Sequence, residues 1–368
     1  MAIVLDGTSG ITTPALDSAG TITAPDVDSA LNGLSYPDAS SIGMRNRIIN
    51  GDMRIDQRNN GASVTPTDGQ YALDRWRCGL TAASKFSVQR NAGAVTPPVG
   101  FTNYLGVTSL SAYSVGASDT FVIEQPVEGF NTSDLAWGTA SAQSVTLSFR
   151  VRSSLTGSFG GVILNGAYNR SYAFSFSISA ANTWEQKTIT IAGDTTGTWL
   201  TTNGVGVRVI FSLGSGSNNL IAANTWSSTF GIAPTGSVNV VSTSGATFYV
   251  TGVQIEAGSV ATPFERKMYT NELALCQRYY VAGIIAPGYL FGVQNGGTAG
   301  EQRMSISEAL PIEMRAAPTV TYTFINNDAA VDGGLNTITT RSLRFRGYTS
   351  FSGGYWNGRW DYQATAEL

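Results

Sequence analysis

Between residues 45 and 265, large apolar residues and small or polar residues alternate in short runs. In the runs 145–151, 172–178 and 205–211, large apolar residues occupy every second position, and a period of two indicates strands with one buried face. Glycine-rich segments separate the runs, as turns do between antiparallel strands. The pattern predicts an antiparallel β-sandwich or barrel. Its core is expected to contain Trp76, Phe149, Phe174, Phe176 and Phe211.

The last run of this region changes phase at Gly252. Phe248 and Val250 share one parity along the chain, whereas Val253 and Ile255 have the other. A β-bulge inserts one residue into a strand and restores the facing of the residues that follow it. We therefore predict a bulge at Gly252 that keeps both apolar pairs in the same core.

Residues 266–280 contain the best helix candidate, which connects the sandwich to the rest of the chain. Tyr269, Leu273, Cys276 and Tyr280 are spaced i, i+4, i+7 and i+11. This spacing places them on one stripe of a 3.6-residue period, as in an amphipathic helix.

The two ends of the chain differ in composition. Residues 1–44 carry five aspartates and no Lys or Arg, with too little apolar area to offset the chain entropy of folding alone. We expect this extended segment to dock on another protein, with packing against its own chain as the alternative. Residues 281–368 return to a strand-like composition, which predicts a small C-terminal β domain. The whole chain is therefore predicted to be mostly β.

Composition excludes several function classes. The 368 residues contain no histidine, which removes histidine-dependent triads and histidine metal sites. No metal or cofactor is expected. The 22 basic and 25 acidic residues leave a net charge of −3, so no overall attraction to nucleic acid is expected. The chain has neither an apolar run long enough to span a membrane nor a secretory signal.

Cysteines and carboxylates are interpreted as structural. Cys78 and Cys276 are expected to be buried small apolar residues, with one long-range disulfide left open. Asp74, which lies beside Arg75 and Arg77 in sequence, is expected to be ion-paired. A hydrolase of this composition would need two carboxylates at a defined separation. The local acid pairs are Asp52 and Asp56, Asp68 and Asp74, and Glu124 and Glu128. We expect none of them to be catalytic, so the chain is predicted not to be an enzyme.

The C-terminal region is rich in aromatic and basic residues. Aromatic faces stack on sugar rings, and arginine forms paired hydrogen bonds with acidic groups. Alternatively, these side chains fill a module core or a subunit interface; base stacking is a third use, which the net negative charge disfavours. The candidate glycan or receptor site consists of Arg344, Arg346, Tyr355, Trp356, Arg359 and Trp360.

Several segments together resemble tail fibre-type proteins of tailed bacteriophages and prophages. They are Met44–Arg58 (MRNRIINGDMRIDQR), Tyr71–Arg77 (YALDRWR), Thr247–Arg266 (TFYVTGVQIEAGSVATPFER), Glu272–Tyr280 (ELALCQRYY) and Met314–Val320 (MRAAPTV). The N-terminal segment Ile3–Thr12 resembles the start of such proteins. In that group, the first three of these segments bracket a jelly-roll sandwich similar to carbohydrate-binding modules.

The resemblance implies four domains: residues 1–44 as a virion anchor, 45–265 as the jelly roll, 266–280 as a connecting helix and 281–368 as a distal module. It implies a homotrimer in the virion, assembled in the host cytoplasm, that contacts other tail or baseplate proteins through residues 1–44. The expected function is non-enzymatic attachment to host cell-surface polysaccharide. The alternatives are a polysaccharide depolymerase fibre and a purely structural fibre of the head, neck or tail.

Overall fold

The computed structural model describes residues 4–6, 10–12, 44–285, 302–326, 333–349 and 358–368. The chain divides into two compact units, Met1–Arg45 and Asn46–Leu368. In the first unit, strands β1 (Val4–Asp6) and β2 (Gly10–Thr12) form an antiparallel hairpin. Most of the predicted virion anchor, residues 1–44, lies outside the described residues.

Fourteen of the described strands belong to the predicted sandwich region. They are β3 (Tyr71–Leu73), β4 (Trp76–Leu80), β5 (Phe86–Arg90), β6 (Leu105–Ser109), β7 (Thr120–Glu128), β8 (Val145–Ser153), β9 (Gly157–Asn165), β10 (Ser171–Ile178), β11 (Glu185–Ile191), β12 (Val205–Ser215), β13 (Leu220–Ile221), β14 (Trp226–Ser227), β15 (Ala233–Pro234) and β16 (Thr247–Ala257). Short 3-10 turns lie at Ala92–Ala94, Gly129–Asn131, Ser133–Leu135, Ser217–Asn219 and Val240–Ser242.

Two antiparallel sheets pack face to face in this region. One sheet has the strand order β14-β10-β9-β12-β7-β4-β3 and the other β11-β8-β16-β6-β5, while β13 and β15 form a small parallel ladder. The prediction of a central antiparallel sandwich is confirmed. Neighbours in each sheet are mostly distant in sequence, as expected for a jelly-roll-like arrangement.

The inner faces of both sheets share one apolar core. Trp76, Phe149, Phe174, Phe176 and Phe211 are all buried in it, as predicted. The ring of Phe149 lies between those of Phe176 and Phe211, with centroids 5.0 Å away in both cases and steeply inclined planes. Such edge-to-face pairs add to the free energy that burial alone supplies.

The bulge predicted at Gly252 is present. The register of β16 against β8 shifts between Thr251 and Gln254, and Gly252 has a φ of 62°. Phe248 and Val250 before the shift, and Val253 and Ile255 after it, all lie in the shared core. A left-handed backbone is accessible to glycine without strain, which explains why glycine occupies this position.

The outer faces of the two sheets are covered differently. On the seven-stranded sheet, Val162, Leu164 and Ile210 form a second apolar cluster with Val122 and with Ile232 of the segment between β14 and β15. On the five-stranded sheet, the outward residues of β8 are polar because Leu147, Phe149 and Val151 face the core. Part of this outer face is covered, because Tyr249 forms an apolar cluster with Ala92 and Tyr104. The part around Arg150 and Gln186 stays accessible to other molecules.

Helix α1 (Tyr269–Gln277) is shorter than the predicted span 266–280. The predicted stripe is only partly correct: Cys276 is buried, Tyr269 is 55% exposed, and Tyr280 belongs to the following strand rather than to the helix. Glu272, which the stripe does not include, is buried because its carboxylate accepts the backbone N–H of Asn50. No helix in the described part of the chain combines the length and apolarity that a membrane crossing requires.

The C-terminal region forms a second, smaller sandwich. Its strands are β17 (Tyr280–Ile285), β18 (Gln302–Ala309), β19 (Thr319–Asn326), β20 (Gly333–Ile338), β21 (Ser342–Thr349) and β22 (Gly358–Thr365). They form two antiparallel sheets with the orders β17-β22-β19 and β18-β21-β20. Leu343 and Phe345 of one sheet pack with Trp360 and Tyr362 of the other in one core. The prediction of a small C-terminal β domain is confirmed.

Both cysteines are free and buried, as predicted. Cys78 lies in the core of the large sandwich. Cys276 belongs to α1 and packs with Tyr279, Ile49 and Ile55. Burial raises the pKa of the Cys78 thiol to about 12 and also raises that of Cys276. The thiols therefore act as apolar side chains, because only the thiolate is an effective nucleophile or metal ligand.

The central position of Phe149 gives a test of the core. Phe149→Ala removes a ring that contacts both sheets, and we expect the free energy of unfolding to fall by about 3–5 kcal/mol. Urea unfolding followed by tryptophan fluorescence measures the change. Val260→Ala, at a side chain 61% exposed, is the control and should change the free energy by less than about 0.5 kcal/mol. Equal values for the two variants would contradict the assigned core.

Candidate functional site

Four of the six C-terminal residues predicted from sequence lie among the described residues, and these four do not form one patch. Arg344 and Arg346 alternate along β21 with Leu343 and Phe345, which are buried. Successive side chains of a strand point to opposite faces, so both arginines lie on the outer face of the sheet β18-β21-β20. Arg344 is exposed and Arg346 is half-buried.

Arg359 and Trp360 belong to the opposite sheet of the same module. Arg359 is exposed and ion-pairs with Asp361 at 3.1 Å, whereas Trp360 is fully buried between the sheets. The ring of Trp360 fills the core of the module and is therefore not available to a surface ligand. Tyr355 and Trp356 lie outside the described residues. Among the described residues, the sequence-predicted set is thus divided between two opposite faces and a core.

A depression lies on the outer face of the five-stranded sheet of the large sandwich. It has a volume of about 510 Å³, and Ser148, Arg150 and Gln186 contribute to its lining from β8 and β11. The register places Gln186 beside Arg150 on one side and Thr251 beside it on the other. The sheet therefore sets the spacing of these polar groups, while sequence reasoning alone did not single them out.

Two phenylalanine rings from separate loops stand at the edge of this depression. The rings of Phe101 and Phe264 lie 5.3 Å apart at 65°, and both side chains are half-buried. The guanidinium carbon of Arg266 is 4.9 Å from the centre of the Phe101 ring, and its Nη2 donates to the Gly100 carbonyl. A Cβ atom at Gly252 would lie 2.6 Å from Cζ of Phe101. The bulge at Gly252 therefore makes the space in which the Phe101 ring rests.

The polar groups of the depression differ in how they are used. Within the described part of the chain, neither the Arg150 guanidinium nor the Gln186 amide has a hydrogen bond or ion pair. By contrast, Arg152, two residues further along the same strand, donates from Nε to the Asn182 carbonyl at 3.0 Å and lies over the Tyr249 ring at 5.4 Å. Arg150 and Gln186 are therefore free to bind another molecule.

A second, shallower groove of about 430 Å³ lies on the outer face of β17-β22-β19. Thr321, Thr323, Asp361 and Gln363 contribute to its lining. Tyr322 and Tyr362 also contribute to the lining, but the rings of both residues contact Phe345 in the core of the module. The one carboxylate of the groove is already ion-paired with Arg359, so we place the candidate site at the larger depression.

The acid pairs considered for catalysis are occupied by structural contacts. Asp52 ion-pairs with Arg54 at 2.6 Å. Asp56 accepts the backbone N–H groups of Asn59 and Gly61. Further along the chain, Asp68 accepts the N–H of Leu80, and Glu124 ion-pairs with Arg77 and Arg208.

The expected ion pair of Asp74 with its neighbouring arginines is wrong. The carboxylate of Asp74 instead accepts the backbone N–H and the side-chain Nε2 of Gln57, at 2.7 and 2.6 Å. Burial raises the pKa of Asp74, and the two hydrogen bonds from Gln57 oppose that rise. Arg75 and Arg77 point to other carboxylates, Glu367 and Glu124, because the turn between β3 and β4 directs the three side chains apart.

Glu128 joins the two sandwiches. It accepts hydrogen bonds from Nε and Nη2 of Arg278 at 3.0 and 2.7 Å, and from the Tyr279 hydroxyl at 2.6 Å. Burial alone would raise the pKa of Glu128, but the hydrogen bonds from Arg278 and Tyr279 outweigh it and leave the pKa below its usual value. Glu128 at the end of β7 is therefore held as a carboxylate by the residues that follow α1.

Arg75 makes the most buried contact of this junction. Its side chain is 1% exposed, ion-pairs with Glu367 and lies 3.6 Å above the centre of the Tyr279 ring. Glu367 also ion-pairs with Arg58 at 2.6 Å, and the Tyr71 hydroxyl donates to the Leu368 carbonyl at 2.8 Å. The last residues of the described chain are thereby fixed against the large sandwich.

The chain matches no protein-family model and no curated protein. It is similar to solved structures, at low identity. An enzymatically active domain of tailspike protein 4 from bacteriophage CBA120 has 10% identity and a TM-score of 0.33, covering 58% of this chain and 21% of that chain. The chain thus spans about a fifth of the length of that tailspike.

Two further similar structures are of proteins named for sugar binding. One is a putative sugar-binding protein from Bacteroides thetaiotaomicron, with 11% identity, a TM-score of 0.33, and 58% and 100% of the two chains covered. The other is a family 11 carbohydrate-binding module from Clostridium thermocellum, with 12% identity, a TM-score of 0.28, and 53% and 96% covered. Similarities of this size carry no argument about function, which must come from the residues of the site.

The lowered pKa of Glu128 predicts how the junction responds to acid. A carboxyl whose pKa is depressed by folding contributes stability above its unfolded-state pKa, and this contribution is lost as the pH falls through the folded-state pKa. Glu128→Gln cannot titrate, so its free energy of unfolding should fall less than that of the wild type between about pH 5 and pH 3. Urea unfolding across this pH range measures the difference.

Arg278→Gln provides the matched variant for this experiment. It removes the guanidinium that donates to Glu128 but keeps the titrating carboxyl and the hydrogen bond from Tyr279. We therefore expect it to reduce the acid dependence that Glu128 contributes. Parallel pH profiles for the wild type and both variants would rule out Glu128 as a source of the acid sensitivity.

Proposed function

We propose that this chain is a non-enzymatic attachment protein of a tailed bacteriophage or prophage particle. It binds host surface glycan in the depression on the five-stranded sheet. The observation that carries the proposal is the combination found there: a pair of phenylalanine rings beside Arg150 and Gln186, whose polar groups have no partner among the described residues. The sequence segments that resemble fibre-type proteins support the virion part of the proposal.

Sugar rings present two kinds of surface to a protein. Their C–H faces pack on aromatic rings, and their hydroxyls exchange hydrogen bonds with polar side chains. In the depression, Phe101 and Phe264 offer the first kind of contact, and Arg150, Gln186 and Ser148 offer the second. A few polar groups on a rigid sheet beside apolar rings are typical of a preformed small-ligand site.

The contacts of the carboxylates support binding rather than cleavage. A glycosidase needs one protonated and one ionised carboxyl group flanking the bond that is cleaved. The acids considered for this role bind arginines or backbone N–H groups, and no Asp or Glu lines the depression among the described residues. A depolymerase fibre therefore remains the alternative that an activity assay decides.

The remaining parts of the proposal concern the particle. Residues 1–44 attach the chain to other tail or baseplate proteins, and the chain acts as a homotrimer within the virion. Three copies would present three depressions to one cell surface, which raises the avidity for a repeating polysaccharide. A purely structural fibre of the head, neck or tail is the competing role, and it predicts no glycan affinity.

Removing one ring from the depression tests the binding site. Losing one stacking aromatic should cost about 1–3 kcal/mol, by analogy with base stacking, so Phe101→Ala and Phe264→Ala should each weaken glycan binding by roughly 5- to 150-fold. Isothermal titration with oligosaccharides released from host cells measures this. Phe130→Ala, at an exposed ring outside the depression, is the control. Equal affinities for all three variants and the wild type would place the site elsewhere.

The absence of catalysis is tested with the same host polysaccharide. We expect no release of reducing sugar by the wild type. Asp52→Ala, Asp74→Ala and Glu124→Ala should change folding stability, because these carboxylates hold structural partners, and should likewise release no reducing sugar. Polysaccharide cleavage that one of the three substitutions abolishes would establish the depolymerase alternative.

A further inference from the structure

We infer that the glycan bound in the depression is anionic, carrying a carboxylate or a phosphate that Arg150 binds. This inference rests on the proposed function and specifies the class of sugar. It also makes Arg150 the residue that distinguishes acidic sugars from neutral sugars of the same shape.

The charge of the depression differs from that of the whole chain. Among the described residues that line it, Arg150 and Arg266 are charged and no carboxylate is present, although the chain carries a net charge of −3. Two carboxylates outside the lining have partners of their own: buried Glu256 accepts hydrogen bonds from the N–H and hydroxyl of Thr262, and Asp52 ion-pairs with Arg54 and also attracts Arg266. The charged side chains that line the depression are therefore both positive, on a protein whose net charge is negative.

The two arginines of the depression are not equivalent. Arg266 lies over the Phe101 ring and donates to the Gly100 carbonyl, so it stabilises the loops. Arg150 is half-buried between β11 and β16 and has no anionic partner in the described part of the chain. An anion that reaches this half-buried cation gains from its charge and from the reduced solvent screening around it.

The shape of the guanidinium specifies the ligand group. Its planar fork matches the two oxygens of a carboxylate or phosphate in paired hydrogen bonds. Gln186, the cross-strand neighbour of Arg150, can bind a hydroxyl beside the acidic group, while the Phe101 ring can contact the apolar face of the sugar. A neutral sugar would use the ring and the amide but would leave the charge of Arg150 unmatched.

The test uses an array of bacterial surface oligosaccharides. Each carboxylated glycan is printed beside its methyl ester, and each phosphorylated glycan beside its dephosphorylated form, so that the two sources of charge are scored separately. The wild type is expected to prefer the acidic form of at least one pair. Arg150→Gln should lower acidic binding about tenfold or more, change neutral binding little, and reduce the sensitivity of binding to salt.

Arg341→Gln is the matched control, because it removes one positive charge from an exposed arginine of the other sandwich. Urea unfolding of both variants verifies that the fold is intact. Equal binding of acidic and neutral forms, or equal losses for both forms in Arg150→Gln, would overturn the inference and leave the proposed function standing. If the wild type binds no glycan of either class, the proposed function itself fails.

Discussion

The buried guanidinium of Arg75 is the interaction on which the arrangement of the two sandwiches depends. A cation removed from water must be paired, since an uncompensated buried charge costs several kcal/mol. Arg75 finds its counter-charge on Glu367 and its stacking partner on Tyr279. Arg75, in the turn before β4, therefore contacts both Tyr279, which lies just beyond helix α1, and Glu367, which lies just beyond strand β22.

The candidate site lies on a rigid support. The core of the large sandwich fills the space between its sheets, and the apolar cluster around Ile232 covers the outer face of one of them. The outer face of the other sheet carries polar residues along β8 beside the apolar cluster of Ala92, Tyr104 and Tyr249. Gly252, which lacks a Cβ atom, makes room there for Phe101. A site built in this way would need little rearrangement on binding, which would lower the entropic cost of holding the proposed ligand.

The segments that resemble fibre-type proteins are largely those that build the junction. Asn50 accepts the N–H of Ile55 and donates to the Asp74 carbonyl, and Arg75, Glu272 and Tyr279 meet around the same place. The resemblance thus describes a way of joining two β modules. Arg150 and Gln186 lie outside these segments, so the proposed ligand chemistry depends on residues that the resemblance does not include.

Local patterns in the sequence were sufficient for the strands, the core aromatics, the Gly252 bulge and the buried cysteines, because each depends on the alternation or burial preference of neighbouring residues. The surface site depended on the tertiary structure. Trp360 lies beside Arg359 in sequence, yet the two-layer packing of the C-terminal module buries its ring. Phe101, Arg150 and Phe264 are far apart in sequence and meet only because strand pairing brings their elements to one face. Contacts between such distant residues follow from sheet order, which no local pattern encodes.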